Sequence, residues 1–311
     1  MKKISVLIPT FNEQDNVGPL SEAIINQFET NLTKYDYEIL FIDNHSSDKT
    51  QSKLLELCER NKKIKAIFNS KNFGQHNSPY HGLLQTSGDC VIGMCADFQD
   101  PVEMIPQFVS EWEKGYKVVC GVKATSKENG IIYFLRSCYY RLIKKMSNVD
   151  IIEHFSGFGL YDKSFIGVLR DLKDPIPFLR GMVAELAPER KEIPYEQQNR
   201  KFGKSKNNFF ILYDAAMLSF TTYTKVSMRV ATFFGFICSA LSMIVALIYL
   251  VLKLLYWDSF PMGTAPILIG IFFLGSVQLF FIGFLGEYIM NMNTRIINRP
   301  LVIEECRINF E

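Results

Sequence analysis

Three clusters of acidic and amide residues, each directly behind a short apolar run, are the places where this chain could do chemistry. Pro9-Thr10-Phe11-Asn12-Glu13 follows the run at 4–8. Asp43-Asn44-His45-Ser46-Ser47-Asp48 follows the run at 38–42. Cys95-Ala96-Asp97-Phe98-Gln99-Asp100-Pro101 follows the run at 91–94. Each cluster also has a plainer explanation, because Asp, Asn or Ser behind a strand commonly caps the next helix. Capping alone accounts for Asp48 or Asp100 as readily as chemistry does. It does not account for three such clusters together.

Several other chemistries are excluded. No G-x-G-x-x-G follows the first run, so a dinucleotide cradle is not encoded. Gly203-Lys204-Ser205 matches the end of a P-loop but lacks the earlier glycine and a preceding strand. Without a glycine-rich cradle, diphosphate charge must be met another way. A divalent cation held by Asp97 and its neighbours would meet it: Mg²⁺ prefers oxygen ligands, typically one or two carboxylates plus phosphate oxygens. The seven cysteines, Cys58, Cys90, Cys95, Cys120, Cys138, Cys238 and Cys306, form no C-x-x-C pair. That argues against zinc or dithiol redox work and fits reduced thiols in the cytosol. His45, His76, His81 and His154 make no metal motif and are expected to be structural, with His45 set apart by its place in the second cluster. The net charge of +2 gives no sign of a nucleic-acid partner.

The clusters need a frame. Strands are expected at 4–8, 38–42, 65–68, 91–94 and 118–122, alternating with helices at 17–29, 50–60 and 80–86. Such alternation predicts an α/β domain with a mostly parallel sheet covered on both faces. Ligands then bind at the carboxyl ends of the strands, where all three clusters lie. Phe155, Phe158 and Tyr161 are expected to be packing residues. The N-terminal run at 4–8 is too short for a signal-peptide core and is read as the first strand.

The C-terminal third has a different character. Residues 230–252 carry no charge and would reach about 30 Å as a helix, the thickness of a hydrocarbon core. Residues 259–286 form a second uncharged run. A short link holding Lys253, Trp257, Asp258 and Pro261 joins them, so a two-helix transmembrane hairpin is expected at 230–290, with spans at about 230–255 and 262–287. Residues 207–229 read as amphipathic helix lying in the membrane interface. Lys201, Lys204, Lys206, Lys225 and Arg229 flank one side, and Arg295, Arg299 and Arg307 the other. The positive-inside rule therefore places both termini and the domain at 1–206 in the cytosol, with 291–311 as a cytosolic tail. The expected location is the cytoplasmic (inner) membrane, in a multi-pass arrangement. Gly235, Gly270, Gly275, Gly283 and Gly286 would permit close helix contact, so a homo-oligomer packed through the hairpin is expected.

Taken in order, the motifs resemble the family-2 glycosyltransferases of GT-A fold, a Rossmann-like architecture, and more narrowly polyprenyl-phosphate glycosyltransferases of the dolichol-phosphate mannose synthase type. The matching stretches are SVLIPTFNEQDNV, FIDNHSSDKT, NFGQHN, ADFQDPVEMI, FLRGM, IPY and FGKSK. The resemblance covers essentially the whole chain. It implies that Pro9, Thr10, Asn12, Glu13, Asp43 and Asn44 line a nucleotide-sugar pocket, with Asp43 on the base or ribose. It implies that Asp97 and Gln99 bind Mg²⁺ or Mn²⁺ and the diphosphate, and that Asp100 positions the sugar or the following helix. Processive relatives carry Q-x-x-R-W; neither Trp112 nor Trp257 follows an arginine, so transfer of a single sugar is expected. Three departures stand out. Cys95 replaces the first Asp of the metal motif, Asn44-His45 replaces Asp-Gly, and Ser156-Gly157-Phe158-Gly159-Leu160 stands where G-D-F-R-L is frequent.

The reaction so implied moves a sugar from a nucleotide diphosphate to a polyprenyl phosphate, with inversion. Lipid phosphate, with a second pKa near ~6, is mostly ionised at cytosolic pH and needs no strong base. Two basic clusters are candidates to hold it: Arg136, Arg141, Lys144 and Lys145, and Arg180, Arg200, Lys201, Lys204 and Lys206. Arginine's planar fork suits phosphate. Arg136, Arg141, Arg200 and Lys204 are taken as the acceptor-phosphate residues, and the others, Arg180 included, as surface anchors to anionic lipid. A diacylglycerol-type acceptor and an inactive membrane scaffold are the competing readings.

Overall fold

The computed structural model describes residues 1–125, 152–198, 264–297 and 299–310, together with part of 233–255. Eight strands form one sheet: β1 (Lys3–Thr10), β2 (Asp36–Asp43), β3 (Ile64–Asn69), β4 (Cys90–Gly93), β5 (Val118–Thr125), β6 (Phe155–Asp162), β7 (Lys191–Glu196) and β8 (Glu304–Ile308). Their order is β7-β5-β6-β4-β1-β2-β3-β8. The block β4-β1-β2-β3 is parallel. β6 runs antiparallel to both β4 and β5, β7 is parallel to β5, and β8 is antiparallel to β3.

The apolar runs are continuous because both sheet faces are covered. Ile4, Val6 and Ile8 of β1 enter one core, with α1 (Val17–Thr30), α2 (Thr50–Arg60) and α4 (Ile105–Glu113). Leu7 points the other way. It joins α3 (Gly74–Gln85), α5 (Lys163–Leu172) and α6 (Leu179–Leu186). Each buried aliphatic side chain contributes roughly 1.5–3 kcal/mol. Phe155, Phe158 and Tyr161 are fully buried on β6, as expected of packing residues.

All five expected strands and three expected helices form, most of them longer than anticipated. α3 begins at Gly74 and carries Pro79 inside it. A proline there breaks the sequence pattern of a helix, so the expected helix started after it.

The chain's last described helix is α7 (Thr264–Ile297), 34 residues long, which spans about 51 Å. Its stretch 273–297 is long and apolar enough to cross a membrane, and none of its described side chains is buried inside the protein. It extends beyond the expected span of 262–287. The described residues between 233 and 255 are helical and expose Phe233, Leu241, Leu254 and Leu255. The Phe234 and Phe281 rings lie 6.3 Å apart, placing this run beside α7. At Gly235, Gly270, Gly275, Gly283 and Gly286 an added Cβ would meet nothing within 4 Å, so these glycines mediate no close contact within the described chain.

The stretch expected to be a tail is part of the domain. Arg295, near the end of α7, bonds Asp174 at 2.8 Å. The chain then returns to the sheet edge as β8, where the Asn309 amide donates to the carbonyls of Cys58 and Ile64, both at 2.7 Å. His81 meets Glu304, which also pairs with Arg307.

Candidate active site

The loops behind β1 and β2 hold each other in place. Asp43 is wholly buried. Its carboxylate accepts from the Ser46 backbone and hydroxyl, from Gln51 Nε2 at 2.9 Å and from Thr10 Oγ1 at 3.3 Å. Ser46 Oγ then accepts from Asn12 N at 2.8 Å, and Asn12 Oδ1 accepts from Ser47 N at 2.7 Å. Thr50 Oγ1 accepts from Glu13 N at 2.9 Å. Asp48 caps its own turn, accepting from Thr50 N at 2.9 Å.

Asn44 staples the end of β2 to the start of α3. Its Nδ2 donates to Asn72 Oδ1 (2.9 Å) and to the Gly74 carbonyl (3.2 Å), while its Oδ1 accepts from Phe73 N (2.9 Å). A carboxylate at position 44 would face two acceptors, which explains the amide. His45 sits at φ 63°, the left-handed conformation a glycine takes without strain. Asn12 (58°) and Phe98 (61°) share it, so every one of the three clusters contains a left-handed residue. Such backbone strain collects at functional sites.

Behind β4, Asp97 Oδ1 accepts from Gln99 N at 3.1 Å. Asp100 accepts from Cys95 N and from the Tyr195 hydroxyl of β7, both at 2.9 Å. Burial pushes the Asp100 carboxyl above its ordinary range, against the pull of those two bonds. Asp100 therefore shapes the turn that presents Asp97.

These loops open onto a cavity of about 650 Å³, a size usual for small-molecule sites. Pro9, Thr10, Glu13, Asn44, Asp97 and Asp100 line it, as does Cys95. Asn12, Asp43 and Gln99 are not in the lining; they brace the loops around it. Arg136, Arg141, Arg200 and Lys204 lie outside the described residues.

Another part of the lining was not expected. It is built by His76, Ser78 and Tyr80 of α3 and by the segment Pro177 to Arg180. Arg180, expected to be a surface anchor, is at the cavity. Both stretches lie in motifs visible in the sequence, NFGQHN and FLRGM, but a motif does not reveal that α3 carries its first turn across the strand ends. The glycine departures also have a reason here. Gly157 lines the cavity at φ 101°, a conformation costly for any other residue. An added Cβ on Gly159 would sit 2.3 Å from the Val119 carbonyl oxygen.

Among the described residues, no group of three His, Cys, Asp or Glu side chains is placed to hold a metal. The oxygen donors of Asp97, with its Gln99 neighbour, fit a hard cation that takes its remaining ligands from phosphate and water. They do not form a closed cage for a resident ion.

Comparison with known proteins agrees with this geometry. Residues 5–169 match the model of glycosyl transferase family 2. The chain is 29% identical over 302 residues to the SfII prophage-derived bactoprenol glucosyl transferase of Shigella flexneri, covering 97% of each. It is 30% identical to the putative glycosyltransferase CsbB of Bacillus subtilis, covering 98% of this chain and 92% of that one. The crystal structure of mannosyl-3-phosphoglycerate synthase from Rubrobacter xylanophilus superposes with a TM-score of 0.50 at 19% identity, over 70% of this chain and 71% of that one, which shows a shared fold. The sheet order, the loops converging on Asp97 and the match over more than half the chain together make this protein a member of glycosyl transferase family 2, with the GT-A-like fold.

Proposed function

We propose that the chain transfers one sugar from a nucleotide-diphosphate sugar to a polyprenyl phosphate at the cytosolic face of a membrane. The observation that carries this is the cavity at the carboxyl ends of β1, β2 and β4, lined by Pro9, Thr10, Glu13, Asn44 and Asp97. Two further facts support the acceptor. Shigella relatives matched over 97% of the chain are named for glucosyl transfer to bactoprenol, a polyprenol. The exposed apolar α7 is anchored to the same domain through Arg295 and β8. In this reading both termini are cytosolic and the helical run before α7 forms the other arm of a membrane hairpin.

The β1 and β2 loops bind the nucleotide, and the braced Asn12–Ser46–Asp43 network keeps them rigid, so little ordering entropy is lost on binding. Asp97 lines the cavity where the diphosphate would sit and, with Gln99 beside it in the same turn, would hold Mg²⁺ or Mn²⁺ there. When bound, such a cation offsets the charge that develops on the departing diphosphate. The acceptor phosphate oxygen attacks the anomeric carbon as the bond to the nucleotide diphosphate breaks, which inverts that carbon. Arg136, Arg141, Arg200 and Lys204 are proposed to hold the acceptor phosphate.

The test is a screen of nucleotide sugars with polyprenyl phosphate and diacylglycerol in detergent, with and without EDTA. One donor should label the polyprenyl lipid with an inverted linkage. EDTA should abolish transfer, and Asp97→Ala should lower it at least ~100-fold. No transfer from any donor, or undiminished transfer by the Asp97 variant, refutes the proposal.

A further inference from the structure

His76 has no role in the mechanism above, yet it sits in the cavity wall in the first turn of α3. Its Nε2 is buried and makes no hydrogen bond among the described residues. A buried polar nitrogen without a partner is costly, and native proteins rarely leave one unmatched. The ring meets the edge of Phe178 at 5.8 Å between centroids. Burial, with the Arg180 guanidinium nearby, pulls the imidazole down to about 4, so it is neutral at cytosolic pH. A neutral ring offers phosphate no charge. It suits a hydroxyl, which can donate or accept and so pairs with either tautomer. The nucleotide side of the cavity is already furnished by Thr10, Glu13 and Asn44, and the diphosphate side by Asp97. His76 and Phe178 share one wall of the cavity, and Phe178 gives it an aromatic ring of the kind that borders a sugar.

We infer that His76 reads the sugar of the donor: its Nε2 hydrogen-bonds a pyranose hydroxyl and helps to set which sugar is transferred. This rests on the nucleotide-sugar reading of the cavity. Because the nitrogen is buried behind the Phe178 edge, this contact requires the ring to turn about its Cβ–Cγ bond, or Phe178 to shift, as the sugar binds.

The experiment uses the full chain in detergent. UDP-glucose, UDP-galactose, UDP-N-acetylglucosamine and GDP-mannose are first titrated against the wild type by calorimetry, beside UDP and GDP. If no nucleotide sugar binds, the functional reading itself fails. For the sugar nucleotide that binds best, the ratio of its Kd to that of the free nucleotide is then measured in each variant. His76→Phe should raise the ratio roughly three- to tenfold, the worth of one neutral hydrogen bond. His76→Gln, which keeps an amide at similar reach, should hold it within about twofold. A loss of folded protein does not move a ratio taken within one variant. An unchanged ratio in His76→Phe, or equal weakening of sugar nucleotide and free nucleotide, overturns the inference. Nitrogen-15 NMR of histidine-labelled wild type decides independently of either variant. The His76 Nε2 resonance should shift with the sugar nucleotide beyond its position with the free nucleotide, and coincident positions overturn the inference.

Discussion

Gly159 shows how one residue fixes the local design. β6 lies between β4 and β5, and at this point its backbone comes so close to Val119 that an added Cβ would fall 2.3 Å from the carbonyl oxygen and 3.3 Å from Cys120 Cα. Both are backbone atoms, so neither can swing aside. The arginine frequent in the family at this place would require β5 to move. Gly159→Ala should therefore destabilise the domain by about 2–3 kcal/mol, seen as a lower midpoint in thermal unfolding, although position 159 does not line the cavity. Gly167, on α5, has nothing within 4 Å of an added Cβ. Gly167→Ala is the control and should unfold at or slightly above the wild-type midpoint, because alanine favours helix. Equal midpoints for the Gly159 variant and wild type would contradict the close approach on which the β5–β6 pairing depends.

At the scale of elements, Glu38 joins three strands and a loop. Within β2, it accepts from Ser5 of β1 at 2.6 Å and from the Ser87 backbone at 2.8 Å, and pairs with Lys3 at 2.8 Å and Lys65 of β3 at 3.0 Å. Burial alone would raise its carboxyl, but the bonds from Lys3, Ser5, Ser87 and Lys65 outweigh burial and hold it at about 2, below the ordinary 4.5. A depressed carboxyl stabilises the fold above its unfolded pKa and loses that contribution as the pH falls. The contribution is thus full above about 4.5 and gone once the pH has passed through about 2. Glu38→Gln should cost roughly 2–4 kcal/mol at neutral pH. Its thermal midpoint should converge on that of wild type as the pH is lowered through that window; a constant gap would mean that the carboxylate charge is not what matters. The same scale shows what the sequence could disclose. β1 to β4 are buried on both faces and read as apolar runs, and the acidic and amide clusters behind them do line or brace the cavity. β6 was hidden because FSGFGLYD spends two positions on glycine. β7, KEIPYE, carries Pro194, and β8, EECRI, carries three charges. Both occupy sheet edges, where proline and charge are tolerated because one side of the strand needs no partner. His76 and Arg180 could be seen in their motifs, but only the crossing of α3 over the strand ends puts them at the site.

For the whole molecule, the decisive contact is that the chain comes back. After a helix able to cross a bilayer, β8 pairs with β3 and completes the edge of the catalytic sheet. The end of α7 near Arg295 and the catalytic cavity must therefore lie on the same side of the membrane. The other end of α7, about 51 Å away by helix rise, must lie on the opposite side if the helix spans. Asn309 secures this return through two backbone carbonyls, so Asn309→Ala should cost about 1–2 kcal/mol and loosen the coupling of α7 to the domain. The topology itself can be measured with membrane-impermeant thiol reagents on intact cells and on broken membranes. A cysteine placed at Asp258, in the link between the two apolar runs, should be labelled in intact cells. Cys306, exposed on β8, should be labelled only after the membrane is broken. All native cysteines are replaced by alanine or serine in the Asp258→Cys arm, and all but Cys306 in the other, so that each signal has one source. Labelling of both positions only in broken membranes would mean that α7 lies along the surface instead of crossing. The site would then have to meet its lipid without a transmembrane anchor holding the cavity at the headgroups.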